Sequence, residues 1–61
     1  MSERVIKILM ERDGNTREQA VARIIAARNE MEDCDYDAIE CEDILQGDLG
    51  LEPDYIFDIL L

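Results

Sequence analysis

Thr16-Arg17-Glu18-Gln19-Ala20-Val21-Ala22-Arg23-Ile24-Ile25-Ala26-Ala27-Arg28-Asn29-Glu30-Met31-Glu32 decides the fold. Thr16 followed three residues later by Gln19 has the form of a capping box, in which the two side chains satisfy backbone donors at the start of a helix. Behind it Ala20, Val21, Ile24, Ala27 and Met31 recur at three- and four-residue spacing, an apolar stripe carried by good helix formers. The spacing predicts a helix over 17–32 whose small residues let a neighbour approach closely.

Upstream, Asp13-Gly14-Asn15 is a stop, because Gly14 suits the left-handed conformation that closes a helix. Ahead of it Val5, Ile6, Ile8, Leu9 and Met10 recur at helical spacing, with Ser2 placed to cap them. Two helices joined by so short a connection form a tight hairpin. Downstream the pattern breaks at Asp33-Cys34-Asp35. Asp35 then caps a third helix over 36–46, with Ala38, Cys41, Ile44 and Leu45 on its inner arc. Glu40, Glu42 and Asp43 lie outside, with Ile39 among them. Gly47 and Gly50 bracket a turn, and Pro53 fits the first position of a short last helix.

That last helix carries Tyr55, Ile56, Phe57, Ile59, Leu60 and Leu61. They cover about two thirds of its circumference, against the ~100° stripe that a surface helix needs. Either it is a wedge that fills the gap between the other helices, or Tyr55, Ile56, Phe57, Ile59 and Leu60 are also buried by a second chain in a homodimer. The fold class expected is all-α: one domain over 1–61, a compact bundle of three to four short helices, dimeric.

Sixty-one residues exclude barrels and doubly wound sheets and lie near the lower limit for an independent core. Sixteen Asp and Glu against six Lys and Arg leave a net charge of −10, yet a 48% apolar content is that of a folded chain. The charge is divided along the sequence. Arg4, Lys7, Arg12, Arg17, Arg23 and Arg28 all stand in the first 28 positions, opposed there by Glu3, Glu11, Asp13 and Glu18. Beyond them come twelve carboxylates and no cation: Glu30, Glu32, Asp33, Asp35, Asp37, Glu40, Glu42, Asp43, Asp48, Glu52, Asp54 and Asp58. Such asymmetry concerns field and partners rather than fold.

Catalytic chemistry has little to work with. The chain has no His, no Gly-rich phosphate loop and no nucleophile beside a base, so no enzyme activity and no cofactor are expected. Without a histidine, Cys34 and Cys41 could build a tetrahedral zinc site only from two chains or with carboxylates, and they are expected to be free thiols. Asp33-x-Asp35-x-Asp37 begins like a calcium loop, but Ala38 stands where Gly is required and Ile44 where the bidentate Glu belongs. A solvated acidic loop is favoured there, and no metal site is expected. Direct nucleic-acid binding is disfavoured, since six basic residues offset by four acidic ones make no concentrated patch. No signal-peptide pattern and no membrane-length apolar run is seen, so a soluble, cytoplasmic protein is expected.

The acidic run remains. Helical carboxylates three and four apart lie about 5–6 Å from one another. A ridge of Glu30, Glu32, Asp33, Asp35, Asp37, Glu40, Glu42 and Asp43 therefore approximates the phosphate track that a basic channel is built to receive. Alternatively these residues are a plain solvated face, or serve the electrostatics of self-assembly.

Two segments add a resemblance. Leu9-Met10-Glu11-Arg12-Asp13-Gly14 before a Thr-started helix, and Gly50-Leu51-Glu52-Pro53-Asp54-Tyr55-Ile56-Phe57-Asp58-Ile59-Leu60, resemble short acidic proteins encoded by bacteriophages and prophages. That resemblance implies an anti-defence role of the anti-CRISPR or anti-restriction kind. It would be exerted in the host bacterial cytoplasm on a host protein or ribonucleoprotein complex with a basic surface. The alternative from the residues alone is a homodimeric interaction module whose apolar C-terminal helix is the functional surface.

Overall fold

In a computed structural model, which describes residues 2–61, helix α1 (Glu3–Asp13) and helix α2 (Arg17–Asp33) carry the ends that the sequence writes for them. Ser2 Oγ accepts from the Arg4 amide at 3.2 Å. At Thr16 the capping box is complete: the Gln19 amide donates to Thr16 Oγ1 at 3.1 Å, and the Thr16 amide donates to Gln19 Oε1 at 2.9 Å. Gly14 takes a φ of 70°, and the amides of Gly14 and Asn15 turn back to the carbonyls of Met10 and Leu9. The Gly14 bond is that of the αL helix ending, so the hairpin is fixed by local chemistry at both of its inner ends.

Val5, Ile6 and Leu9 of α1 meet Ala20, Ile24, Ala27 and Met31 of α2 in the core. Ala20 and Ala27 project no further than Cβ, which lets the neighbouring helices come close. Val21 and Ile25 fall outside this stripe: Val21 is half-buried and Ile25 exposed.

Helix α3 (Ala38–Ile44) begins two residues later than the sequence suggests, and its cap is Asp37, not Asp35. Asp37 Oδ1 accepts from the amides of Ile39 and Glu40, each at 3.1 Å. Asp35 is unavailable because it and Tyr36 both adopt left-handed conformations, with φ of 55° and 56°. Their amides close α2 instead, Asp35 onto the Glu32 carbonyl at 3.0 Å and Tyr36 onto that of Met31 at 2.8 Å. Non-glycine residues in this region cost about 1–3 kcal/mol each. The later start also corrects Ala38, which is exposed in the first turn. Cys41 is buried and Ile44 half-buried, as the inner arc requires.

Gly47 does not open a turn. The helix runs on through it as one π-helical turn, Leu45–Leu49, the wider winding of which leaves Leu45 and Leu49 both fully buried. The segment stops at Gly50, φ 63°, where the Gly50 amide bonds to the Gln46 carbonyl in a second αL ending and the Leu51 amide to the Leu45 carbonyl. Pro53 starts a 3-10 turn, Pro53–Tyr55, and the last α-helix, α4, follows only at Ile56–Leu60.

Helix α4 is a wedge. Ile59 is fully buried, while Tyr55, Ile56 and Leu60 are half-buried against the core beside α1 and α2. The Ser2 amide donates to the Asp58 carbonyl at 3.3 Å, and the Arg4 guanidinium pairs with the Asp58 carboxylate and lies 4.6 Å from the centre of the Tyr55 ring. The protein is thus an all-α bundle; among the described residues it has four α-helices and no strand.

Two arginines fasten the acidic half to the hairpin. Arg12 donates to both oxygens of the neighbouring Asp13, each at 2.8 Å, to the Gly50 carbonyl at 2.9 Å and to the Leu49 carbonyl. Arg23 donates to Asp13 at 2.7 Å, to Asn15 Oδ1 at 2.6 Å and to the Asp48 carbonyl at 3.0 Å. The three carbonyls lie at the C-terminal end of the π turn, where a helical segment leaves acceptors unpaired and favours positive charge. Hydrogen bonds from Arg12 and then Arg23 hold the Asp13 carboxyl well below the usual carboxylate range.

Candidate functional site

Four of the six cations of the first half are turned to internal work. Arg4 pairs with Asp58, Arg17 with Glu3, and Arg12 and Arg23 with Asp13. Of the twelve carboxylates after position 28, Asp58 is therefore the one with an ion-pair partner among the described residues, which leaves eleven without one.

Eight of these eleven are the residues of the acidic run, and all eight are exposed. Glu30, Glu32 and Asp33 form the last turn of α2, Asp35 lies in the left-handed connection, Asp37 caps α3, and Glu40, Glu42 and Asp43 belong to α3. The structure makes them one continuous stretch but not one file. With Met31 turned inward, Glu30 and Glu32 stand on opposite flanks of α2 at about 100° per residue, and Asp33 points outward. With Cys41 turned inward, Glu40 and Glu42 likewise flank α3, and its outermost positions are Asp43 and Ile39. Ile39 is 73% exposed, so an apolar side chain stands in a frame of three carboxylates. Asp37 differs from the rest because one of its oxygens is taken up by the two amides it caps.

Asp48 joins the surface although the sequence set left it out. It reaches Glu30 from the π turn, and the neighbouring Asp48 carboxyl first, then partial desolvation and the charge of Asp33, push the Glu30 carboxyl above its ordinary range. Nothing local in the sequence points to this pair, since it depends on how the π turn docks against α2.

The apolar set of the C-terminal helix is redistributed. Ile59 belongs to the monomer's own core, Tyr55, Ile56 and Leu60 lean on it, and of the five only Phe57 is exposed, at 68%. The terminal Leu61 is also exposed.

Both cysteines are free thiols. Cys34 donates to the Met31 carbonyl at 3.2 Å, and burial followed by the proximity of Cys34 pushes the Cys41 thiol above its ordinary range. Among the described residues no three acidic, cysteine or histidine side chains are placed to hold a metal ion, and no helix is long and apolar enough to cross a membrane. No protein-family model matches the chain, and neither a curated protein nor a solved structure does so.

Proposed function

We propose that this chain is a binding protein without catalytic activity, an anti-defence inhibitor of the anti-CRISPR-like kind that the phage resemblance implies. It occupies a Lys/Arg-rich surface of a host nucleic-acid-handling protein or ribonucleoprotein complex in the host bacterial cytoplasm, through the ridge from Glu30 to Asp43. The observation that carries the proposal is the division of charge in space: four of the six cations are committed to internal pairs, and eleven carboxylates are left without an ion-pair partner among the described residues. Surfaces that serve only solubility mix the two signs. Here Glu30 and Asp48 instead meet closely enough to raise the Glu30 carboxyl's proton affinity.

Ile39 refines the kind of partner. A charged rim around an exposed apolar residue has the anatomy of a protein interface, in which a desolvated centre supplies affinity and the rim supplies specificity. The ridge therefore suits a basic protein surface with an apolar recess better than it suits an all-phosphate mimic.

The test is capture from a bacterial host lysate by the wild type and by a Glu40→Lys, Glu42→Lys, Asp43→Lys variant, each at low and at high salt. The wild type should retain one complex that is lost in high salt and lost with the variant. Capture that is indifferent to both would sink the electrostatic mechanism. A second reading, contact through the C-terminal helix, keeps Phe57 and Leu61 as its exposed residues. Loss of the same complex in Phe57→Asp, with the ridge variant still bound, would favour it.

A further inference from the structure

Helix α2 has a second apolar face. Its inner side fills the core and Val21 leans on it, half-buried, while Ala22 and Ile25 stand outside, with Ile25 45% exposed. Two adjoining depressions share Ile25. One, of about 330 Å3, is lined by Arg17, Glu18, Val21, Ala22 and Ile25; the other is lined by Ile25, Arg28, Asn29, Glu32 and Tyr36. Along this face Glu18, Ala22, Ile25, Asn29 and Glu32 alternate at spacings of four and three, the periodicity of a helix-pairing seam.

Charge selects the occupant. A second copy of a chain at −10 meets repulsion on most approaches, but this face balances Arg17 and Arg28 against Glu18 and Glu32. Arg17 is engaged by Glu3, whereas Arg28 has no ion pair among the described residues. In an antiparallel pairing about a two-fold axis between Ala22 and Ile25, each Ile25 enters the depression beside Val21 and Ala22 of the other copy. Arg28 then comes opposite Glu18 of that copy, and the opposed helix dipoles add to the attraction. A parallel pairing would instead set Arg28 against Arg28 and Glu18 against Glu18.

We propose that α2 carries a homodimer interface of this isologous, antiparallel kind, built on Val21, Ala22 and Ile25 with an Arg28–Glu18 pair at each end, and that the C-terminal helix is not the contact. The inference does not depend on the function proposed above. A seam on a 17-residue helix, about 25 Å long, is short of a standard interface, so the dimer should form in the micromolar range rather than below it.

Sedimentation equilibrium of the full chain across the micromolar range, with circular dichroism to confirm folding, tests the proposal. The wild type should show a monomer–dimer equilibrium. Ile25→Asp should weaken it by about 100-fold or more, because a symmetric interface contains the substitution twice. Glu18→Arg and Arg28→Glu should each weaken the dimer, and the double variant should recover it. A wild type that is monomeric at every concentration overturns the proposal, as does a dimer that survives Ile25→Asp or one that Phe57→Asp dissociates.

Discussion

Truncating Ile59 and Phe57 to Ala, in separate variants, removes apolar atoms two residues apart on α4 with opposite expected outcomes. Ile59 is fully buried between α4 and the hairpin, and large-to-small changes at such sites cost about 2–5 kcal/mol, through lost contacts and the cavity left behind. A folded chain of 61 residues has a total stability of about 3–9 kcal/mol, so Ile59→Ala forfeits about a fifth of it or more. At roughly 4–8 °C per kcal/mol for a domain of this size, the melting temperature falls by roughly 8–40 °C. Phe57 is 68% exposed, and Phe57→Ala should stay within about 0.5 kcal/mol of the wild type. Urea and thermal unfolding followed by circular dichroism measure both. Ile59→Val, expected to cost about 0.5–1.5 kcal/mol, keeps the comparison measurable if the Ala variant does not fold. Equal losses at the two positions, or a larger one at Phe57, would mean that α4 docks by another face and that the wedge is misassigned.

Asp13→Asn should flatten the fall of melting temperature in acid. The Asp13 carboxyl is depressed by Arg12 and Arg23, so its contribution is complete above the unfolded value of about 4 and is lost as pH falls through the lower folded value; an unchanged acid limb refutes the clasp. Gly50→Ala should melt below Gly14→Ala. Both positions have positive φ, which costs a side-chain-bearing residue about 1–2 kcal/mol, but only at Gly50 would the new Cβ lie 3.3 Å from the Arg12 guanidinium. The reverse order would show that this approach is unimportant. Cys41 predicts the alkaline side: its thiol is raised by burial and then by Cys34, so the associated stability is present below the unfolded value near 8.5 and is lost as pH rises through the folded one. Cys41→Ala should remove that loss, and an identical alkaline limb in wild type and variant would count against the burial.

What was legible in the sequence was what is decided within a few residues. Thr16 with Gln19 and the glycine at position 14 determine their helix ends through bonds to near neighbours, and both form as read. Asp35 and Asp37 offer the same cap chemistry two positions apart. The choice falls to the way α2 closes onto the Met31 carbonyl, which no local pattern encodes. Gly47 reads as a breaker by propensity, yet burying Leu45 and Leu49 together holds the helix through it. On α4 four apolar residues out of five leave the phase undetermined, so Ile59 and Phe57 are alike until the packing against α1 and α2 separates them. The acidic residues were legible as a list. Their arrangement was not, because Asp48 beside Glu30 and the arginines on the π-turn carbonyls join positions far apart in the chain.

The arginine clasp also bears on the rate of encounter with a partner. Because Arg12 and Arg23 are held on Asp13 and on the backbone carbonyls of the π turn, neither is free to pair with the carboxylates of the ridge. If the ridge meets a basic target as proposed, the uneven charge should steer the approach acidic side first, and association should be fastest at low ionic strength. Substitutions in the carboxylate frame should act mainly on the association rate, whereas Ile39→Ser should act mainly on the lifetime of the complex once formed.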